Sequence, residues 1–353
     1  LLAAWTKNFL EESQTKFSSH LYNEESNNAL SVPEVRPTFD EDPEQVDGRI
    51  ILRDNFDALF ERYSQALIFG EDSGAIGDVN QGLEGLQKKY GELRVADVGI
   101  REASIIGQGI GMALRGLRPI AEIQYLDYIF YALFTLTDDL ATLLYRTVGK
   151  QRAPLIVRTR GHRLEGIWHS GSQMGGLIHL LRGMYILVPR NMTKAAGFYN
   201  TLMKGNEPAL LIESLNGYRL KEPKPNNLGD ICTPIGIVEV VRAGTDITLL
   251  SYGSTLRIVM QAAEELREVG IDAEVIDEDV PGGCSAYLTH EIIEKQGAYK
   301  YLDSAPQTLT AKAHRPAYAT DGDYFSKPNA EDIFEKVYGI MHESNPTDFP
   351  KLR

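Results

Sequence analysis

The chain has 353 residues, 43% of them hydrophobic, which is enough for two globular domains or three. Its formal net charge of −13 excludes a general nucleic-acid surface, which needs clustered Lys and Arg. No apolar run approaches the roughly 20 residues of a membrane span, and the two cysteines, Cys232 and Cys284, lie too far apart for a metal pair or a disulfide framework.

In chain order, Ala3 to Tyr22 reads as an amphipathic helix with Trp5, Phe9, Leu10 and Phe17 as its apolar stripe. It lacks the basic flank and cleavage site of a secretory signal, so the cytoplasm is the expected compartment. The start without Met reads as a fragment or a trimmed chain. Asn23 to Gln45 is polar, acidic and punctuated by Pro33, Pro37 and Pro43, and is expected to be a linker. A helix over Arg53 to Ala66 and a short strand over Leu67 to Phe69 follow, then the break Gly70-Glu71-Asp72-Ser73-Gly74. Leu83 to Tyr90 reads as a short helix.

Residues 94 to 128 form the centre of the pattern. They predict a strand (Arg94 to Val98), a helix (Ala103 to Leu114) and a second strand (Pro119 to Tyr125), with the β-branched runs of buried strands. Gly107, Gly109 and Gly111 each cost about 1 kcal/mol of helix stability against alanine, so close packing against another backbone is expected there. Glu102 opens this helix at a strand-to-helix junction, where parallel α/β folds place ligands. Taken alone, it reads first as a first-turn carboxylate favoured by the helix dipole, which needs no catalytic role.

Beyond it, Tyr128 to Tyr145 predicts one long helix and Pro154 to Arg158 a strand. The loop Thr159 to Ser172 carries His162 and His169, each open to a structural or a functional reading; neither has a third ligand at zinc spacing. Tyr185 to Val188 and Ala209 to Glu213 read as strands around a helix over Lys194 to Met203. Pro223 to Asn227 marks a boundary, after which the alternation restarts with Asp246 to Tyr252, Ser254 to Val269 and Ala273 to Ile276 as strand, helix and strand. Asp277 then runs directly into Glu278, leaving no crossover for a further parallel strand, so an omitted segment is expected there.

Several segments together resemble the β subunit, or β half, of the thiamin diphosphate-dependent component of 2-oxo acid dehydrogenase complexes. They are LIFGED (Leu67 to Asp72), REASIIGQGIGMALRGLRPIAEIQYLDY (Arg101 to Tyr128), APLIVRT (Ala153 to Thr159), WHSGS (Trp168 to Ser172), LVPRN (Leu187 to Asn191) and DEDVPGG (Asp277 to Gly283). The resemblance implies two α/β domains with mostly parallel sheets: a pyrimidine-binding domain over 47–225 and a transketolase C-terminal-like domain over 226–353, after an N-terminal helix and linker over 1–46.

It also implies roles. Glu102 matches the glutamate that hydrogen-bonds the aminopyrimidine of thiamin diphosphate, where a carboxyl beside the ring nitrogen favours the imino tautomer. His169 matches the histidine serving acyl transfer to lipoyl-lysine. Tyr128 matches an aromatic packing on the aminopyrimidine, with an ordinary core tyrosine as the alternative, and Glu71 sits in a loop near the cofactor with no catalytic role assigned. The Gly-Asp-Gly motif for magnesium and diphosphate is missing: Asp321-Gly322-Asp323 lacks a strand-to-helix context, and Gly77-Asp78-Val79-Asn80 has the wrong spacing. In the family this motif belongs to the α subunit. The expected partners are therefore an α subunit or fused α half holding the magnesium, a second β chain, a lipoyl acyltransferase core and a 2-oxo acid, 2-oxoisovalerate or pyruvate. The alternatives are a transketolase or xylulose-phosphate synthase, and a non-catalytic dimerisation subunit.

Overall fold

The computed structural model describes residues 1–163, 168–169, 172–277, 285–312, 314 and 319–352. The expected omission after Asp277, Cys284 and most of the DEDVPGG segment lie outside them. Six parallel strands form the main sheet: β2 (Ala66–Gly70), β3 (Val95–Asp97), β4 (Arg118–Ile123), β5 (Ile156–Gly161), β6 (Tyr185–Leu187) and β7 (Ala209–Ser214). A short β1 (Gln45–Asp47) precedes them and pairs with β8 (Lys221–Pro223). The order across the sheet is β3-β2-β4-β5-β7-β6.

Both faces of this sheet are apolar, and alternate residues along each strand separate them. Ile68, Ile120, Ile156 and Leu211 pack with Phe56, Phe60, Phe198 and Tyr199 of the Gly48–Arg62 and Met192–Lys204 helices. Leu67, Phe69, Ala121, Val157 and Leu210 point the other way, onto Ile105 and Ile106 of the Glu102–Leu114 helix and onto Leu126, Ile129 and Leu136. In the second sheet, β10 (Ile247–Ser251) pairs in parallel with β11 (Ala273–Asp277), and β11 pairs antiparallel with β9 (Glu239–Arg242), an edge strand the sequence did not signal. The Thr255–Glu268 and Ala330–Ser344 helices cover it through Leu256, Leu266, Ile333 and Val337. The two units meet where Asp277 accepts from Arg190 at 2.5 Å and from Lys194 at 2.6 Å.

Four expectations need correction. The first helix, Leu2–Ser18, buries none of its side chains; Trp5 stacks on Phe9 in solvent instead. The segment from Asn23 to Gln45 is no free linker. Val35 bridges Cys232, the Glu207 carboxylate accepts from the Ala29 amide, and β1 joins β8, so its backbone groups find partners on the body. The long helix expected over Tyr128 to Tyr145 is a 3₁₀ turn (Leu126–Ala132), a π turn (Thr135–Leu140) and one α turn (Leu143–Arg146). Its buried residues explain the break: Leu126, Ile129 and Ala132 recur every third position, whereas Leu136 and Leu140 are four apart. Finally, of the helix glycines only Gly109 is packed, and against a side chain: a β-carbon there would lie 2.7 Å from Leu155 Cδ1, while at Gly107 and Gly111 it would meet open space.

Candidate active site

The four adjacent strands β3, β2, β4 and β5 all end on one edge, and the segments leaving that edge carry Glu71, Glu102, Tyr128, His162 and His169. Glu71 and Asp72 follow β2, Glu102 follows β3, Tyr125 and Tyr128 follow β4, and His162 and His169 follow β5. Glu102 is the first residue of its helix, behind an N-cap, Arg101, whose side chain makes no cap. The first amides of that helix are therefore left without a side-chain cap, and the helix dipole favours a carboxylate there. An open groove lined by Val98, Gly99, Arg101, Ser104 and Gln108 runs beside it.

The electrostatics show that these loops converge. Burial raises the Glu71 pKa, and the Asp72, Glu102 and Glu122 carboxylates raise it further. Burial likewise raises the Tyr128 phenol, with Tyr125, Asp127, Glu71 and Glu102 adding to it. His169 stacks on Tyr125 at 3.6 Å between ring centres and meets Tyr128 edge-on at 5.6 Å. Tyr125 and Tyr128 themselves are edge to face at 5.9 Å. Burial lowers the His169 pKa against the pull of Asp127, so the imidazole is neutral at pH 7 with a lone pair available. Its backbone takes a positive φ of 53°, an uncommon conformation outside glycine, and Arg163 donates to the carbonyl of the preceding Trp168 at 2.8 Å. Glu71, Glu102, Tyr128 and His169 are thus drawn into one cluster, with Tyr125 and Asp127 as members that sequence reasoning missed.

Beneath the cluster lies a second feature that was missed, a buried charge network. Arg158 donates to Glu213 at 3.0 Å, to Asp78 at 2.9 Å and to Glu122; Arg160 pairs with Asp78 at 2.9 Å and Glu122 at 3.1 Å. All five side chains are fully buried. Tyr199 and Tyr218 donate to Glu213. Burial alone would raise the Asp78 pKa, but the Arg160 and Arg158 guanidiniums prevail and hold it below the usual range. The network reaches the cluster through Arg160, which donates to the Gln124 carbonyl, and through the Gln124 amide, which lies 3.3 Å from Asp72. A signal was available in the arginines of IVRTRG and the glutamates of PIAEI and LLIES. Charges inside apolar strands are buried only in pairs, and the register sets Glu122 beside Arg158 and Arg160 beside Glu213.

Residues 44–221 match the transketolase pyrimidine binding domain and residues 236–332 the transketolase C-terminal domain. The chain belongs to the 2-oxo acid dehydrogenase β-subunit family. It is 35% identical over 219 residues to the 2-oxoisovalerate dehydrogenase subunit beta of Bacillus subtilis, covering 62% of this chain and 66% of that one. To the pyruvate dehydrogenase E1 component subunit beta of Acholeplasma laidlawii it is 34% identical over 223 residues, covering 63% and 68%. The chain thus matches about two thirds of the length of these curated relatives. A solved split gene transketolase, an inactive beta4 tetramer, shares the fold with a TM-score of 0.53 at 18% identity, covering 67% of this chain and 71% of that one.

The donor set fits a thiamin-type ring better than a metal diphosphate. A carboxylate at the start of a helix, within electrostatic reach of Tyr128, offers a hydrogen bond to a ring nitrogen, and the paired tyrosines offer a face to stack on. The two acidic glycine motifs are otherwise engaged: Asp78 is held by two arginines, and Asp323, on the Ala319–Ser326 helix, pairs with Lys327 at 3.2 Å. No helix among the described residues is long and apolar enough to cross a membrane.

Proposed function

We propose that this β-type chain is half of a thiamin diphosphate-dependent 2-oxo acid dehydrogenase, which decarboxylates 2-oxoisovalerate or pyruvate and passes the acyl group to a lipoyl-lysine. The observation that carries this reading is the convergence of Glu102, Glu71 and Tyr128 with His169 on Tyr125 at the ends of four adjacent strands. The names of the relatives supply the two candidate substrates.

Bound thiamin diphosphate supplies a carbon nucleophile and an electron sink. Glu102 would hold a proton at the aminopyrimidine nitrogen, and Tyr128 would support the ring's face. Burial and the neighbouring Asp72, Glu102 and Glu122 carboxylates raise the Glu71 pKa, so beside Glu102 it takes up a proton more readily than a free glutamate. His169, neutral and half-buried, exchanges a proton with the lipoyl sulfur during acyl transfer. An α partner, separate or fused, would hold magnesium and the diphosphate, and a second β copy would complete the assembly.

Calorimetric titration with thiamin diphosphate and magnesium tests the half-site. Binding only when the α partner is present supports it; tight binding by this chain alone would favour the second reading, a self-contained transketolase-like enzyme. Glu102→Gln is expected to leave the fold intact and abolish decarboxylation in the reconstituted enzyme, and wild-type turnover would refute the assignment.

A further inference from the structure

The turn between β10 and the Thr255–Glu268 helix packs against His162, in the loop that leads to His169. Ser254 stands at the N-cap of that helix, where a serine ordinarily accepts a bond from its own helix, yet it makes no such cap. Its hydroxyl instead donates to the carbonyl of His162, in the other unit, and lies 3.0 Å from Ser214 Oγ. His162, Ser214 and Ser254 are all buried. The backbone at Gly253 abuts the His162 ring so closely that a β-carbon would lie 2.8 Å from Cδ2, and the Tyr252 ring sits 4.8 Å from it between centres. The other side of the same imidazole faces the active-site loop: His162 Nδ1 lies 3.2 Å from Ser172 Oγ. His162 and Ser172 bracket His169, and the bond between them closes a span of ten residues. The φ of 50° at His162, like that at His169, is a strained value that persists only where surrounding contacts impose it.

We propose that His162 is a positioning residue: the Tyr252–Ser254 turn of the C-terminal unit grips it, and through Ser172 it holds the loop on which His169 stands. The inference rests on the proposed function and assigns the C-terminal unit a part in acyl transfer that it takes without touching the substrate. It also separates the two half-reactions, because Glu102 and Tyr128 stand on other loops.

The test uses the chain reconstituted with its α partner, comparing decarboxylation read with a dye acceptor and acylation of a lipoyl domain. In Ser254→Ala and His162→Phe, lipoyl acylation is expected to fall about tenfold to a hundredfold, the scale of a small misplacement of a reacting group. Dye-linked turnover should stay within about threefold, and Ser254→Thr, which keeps the hydroxyl, should restore acylation. Equal losses in both reactions, or none, would overturn the proposal, since a merely structural role lowers them together. In the chain alone, trypsin should cut after Arg163 several times faster in both variants, and unchanged cleavage would also count against it. A wild-type chain inactive in both assays would sink the proposed function itself. Wild type active in both, with His169→Ala reproducing the acylation loss and the two variants showing none, would sink only this inference.

Discussion

Replacing Arg158 by methionine tests whether the buried network supports the active-site edge. The substitution keeps an unbranched side chain of similar length against Phe56, over whose ring the guanidinium now sits at 5.3 Å. It removes the donor that serves Glu213, Asp78, Glu122 and the Tyr218 hydroxyl. Three carboxylates and two guanidiniums share the site, so the formal charge within it goes from −1 to −2 with no access to water. Breaking a buried pair by removing one partner costs about 3 to 5 kcal/mol. For a unit of this size each kcal/mol moves Tm by about 2–4 °C, so a fall of about 10 °C is expected. Urea unfolding of R158M, E213Q and the double variant measures it. E213Q removes a charge that R158M leaves unpaired, so the double variant should recover at least about 1 kcal/mol over additivity. A loss below about 1 kcal/mol in R158M, or strictly additive effects, would refute the view that these charges depend on one another.

Three further outcomes are expected. Burial pushes the His162 pKa down to about 4, from 6.5 when unfolded, so the unfolded chain takes up this proton first. Stability should be full above pH 6.5 and fall as the pH drops towards 4, by at most about 3 kcal/mol, and His162→Gln should flatten that acid limb in pH-dependent urea unfolding. Gly107→Ala should stabilise the isolated chain by about 0.5–1 kcal/mol, since its β-carbon meets open space. Gly109→Ala should cost about 1–3 kcal/mol against Leu155, and the reverse ranking in thermal melts would refute the packing described. Asn329 and Asp332 form a capping box on the Ala330–Ser344 helix, so Asn329→Ala should cost about 1 kcal/mol in the same melts.

Sequence revealed β2, β4, β5 and β7 of the main sheet because each is a short run buried on both faces, a pattern that needs no knowledge of neighbours. Glu102 and His169 were candidates by their places after strands, and the roles expected of them came from the family resemblance. The features that escaped notice depend on pairing. Arg158 and Arg160 belong to a network only because β4 and β7 flank β5, and strand order is a property of the fold as a whole. The 23–45 segment looks unattached until Glu207 and Cys232 supply its partners from far along the chain. Ser254 is the sharpest case, since its position before a helix predicts a local cap and its hydroxyl goes to the other unit instead. A polar residue that forgoes the bond its own element offers has been claimed by a longer-range contact. Here that contact leads through His162 to the loop of the catalytic candidate, so local rules fail at the places where the two units act together.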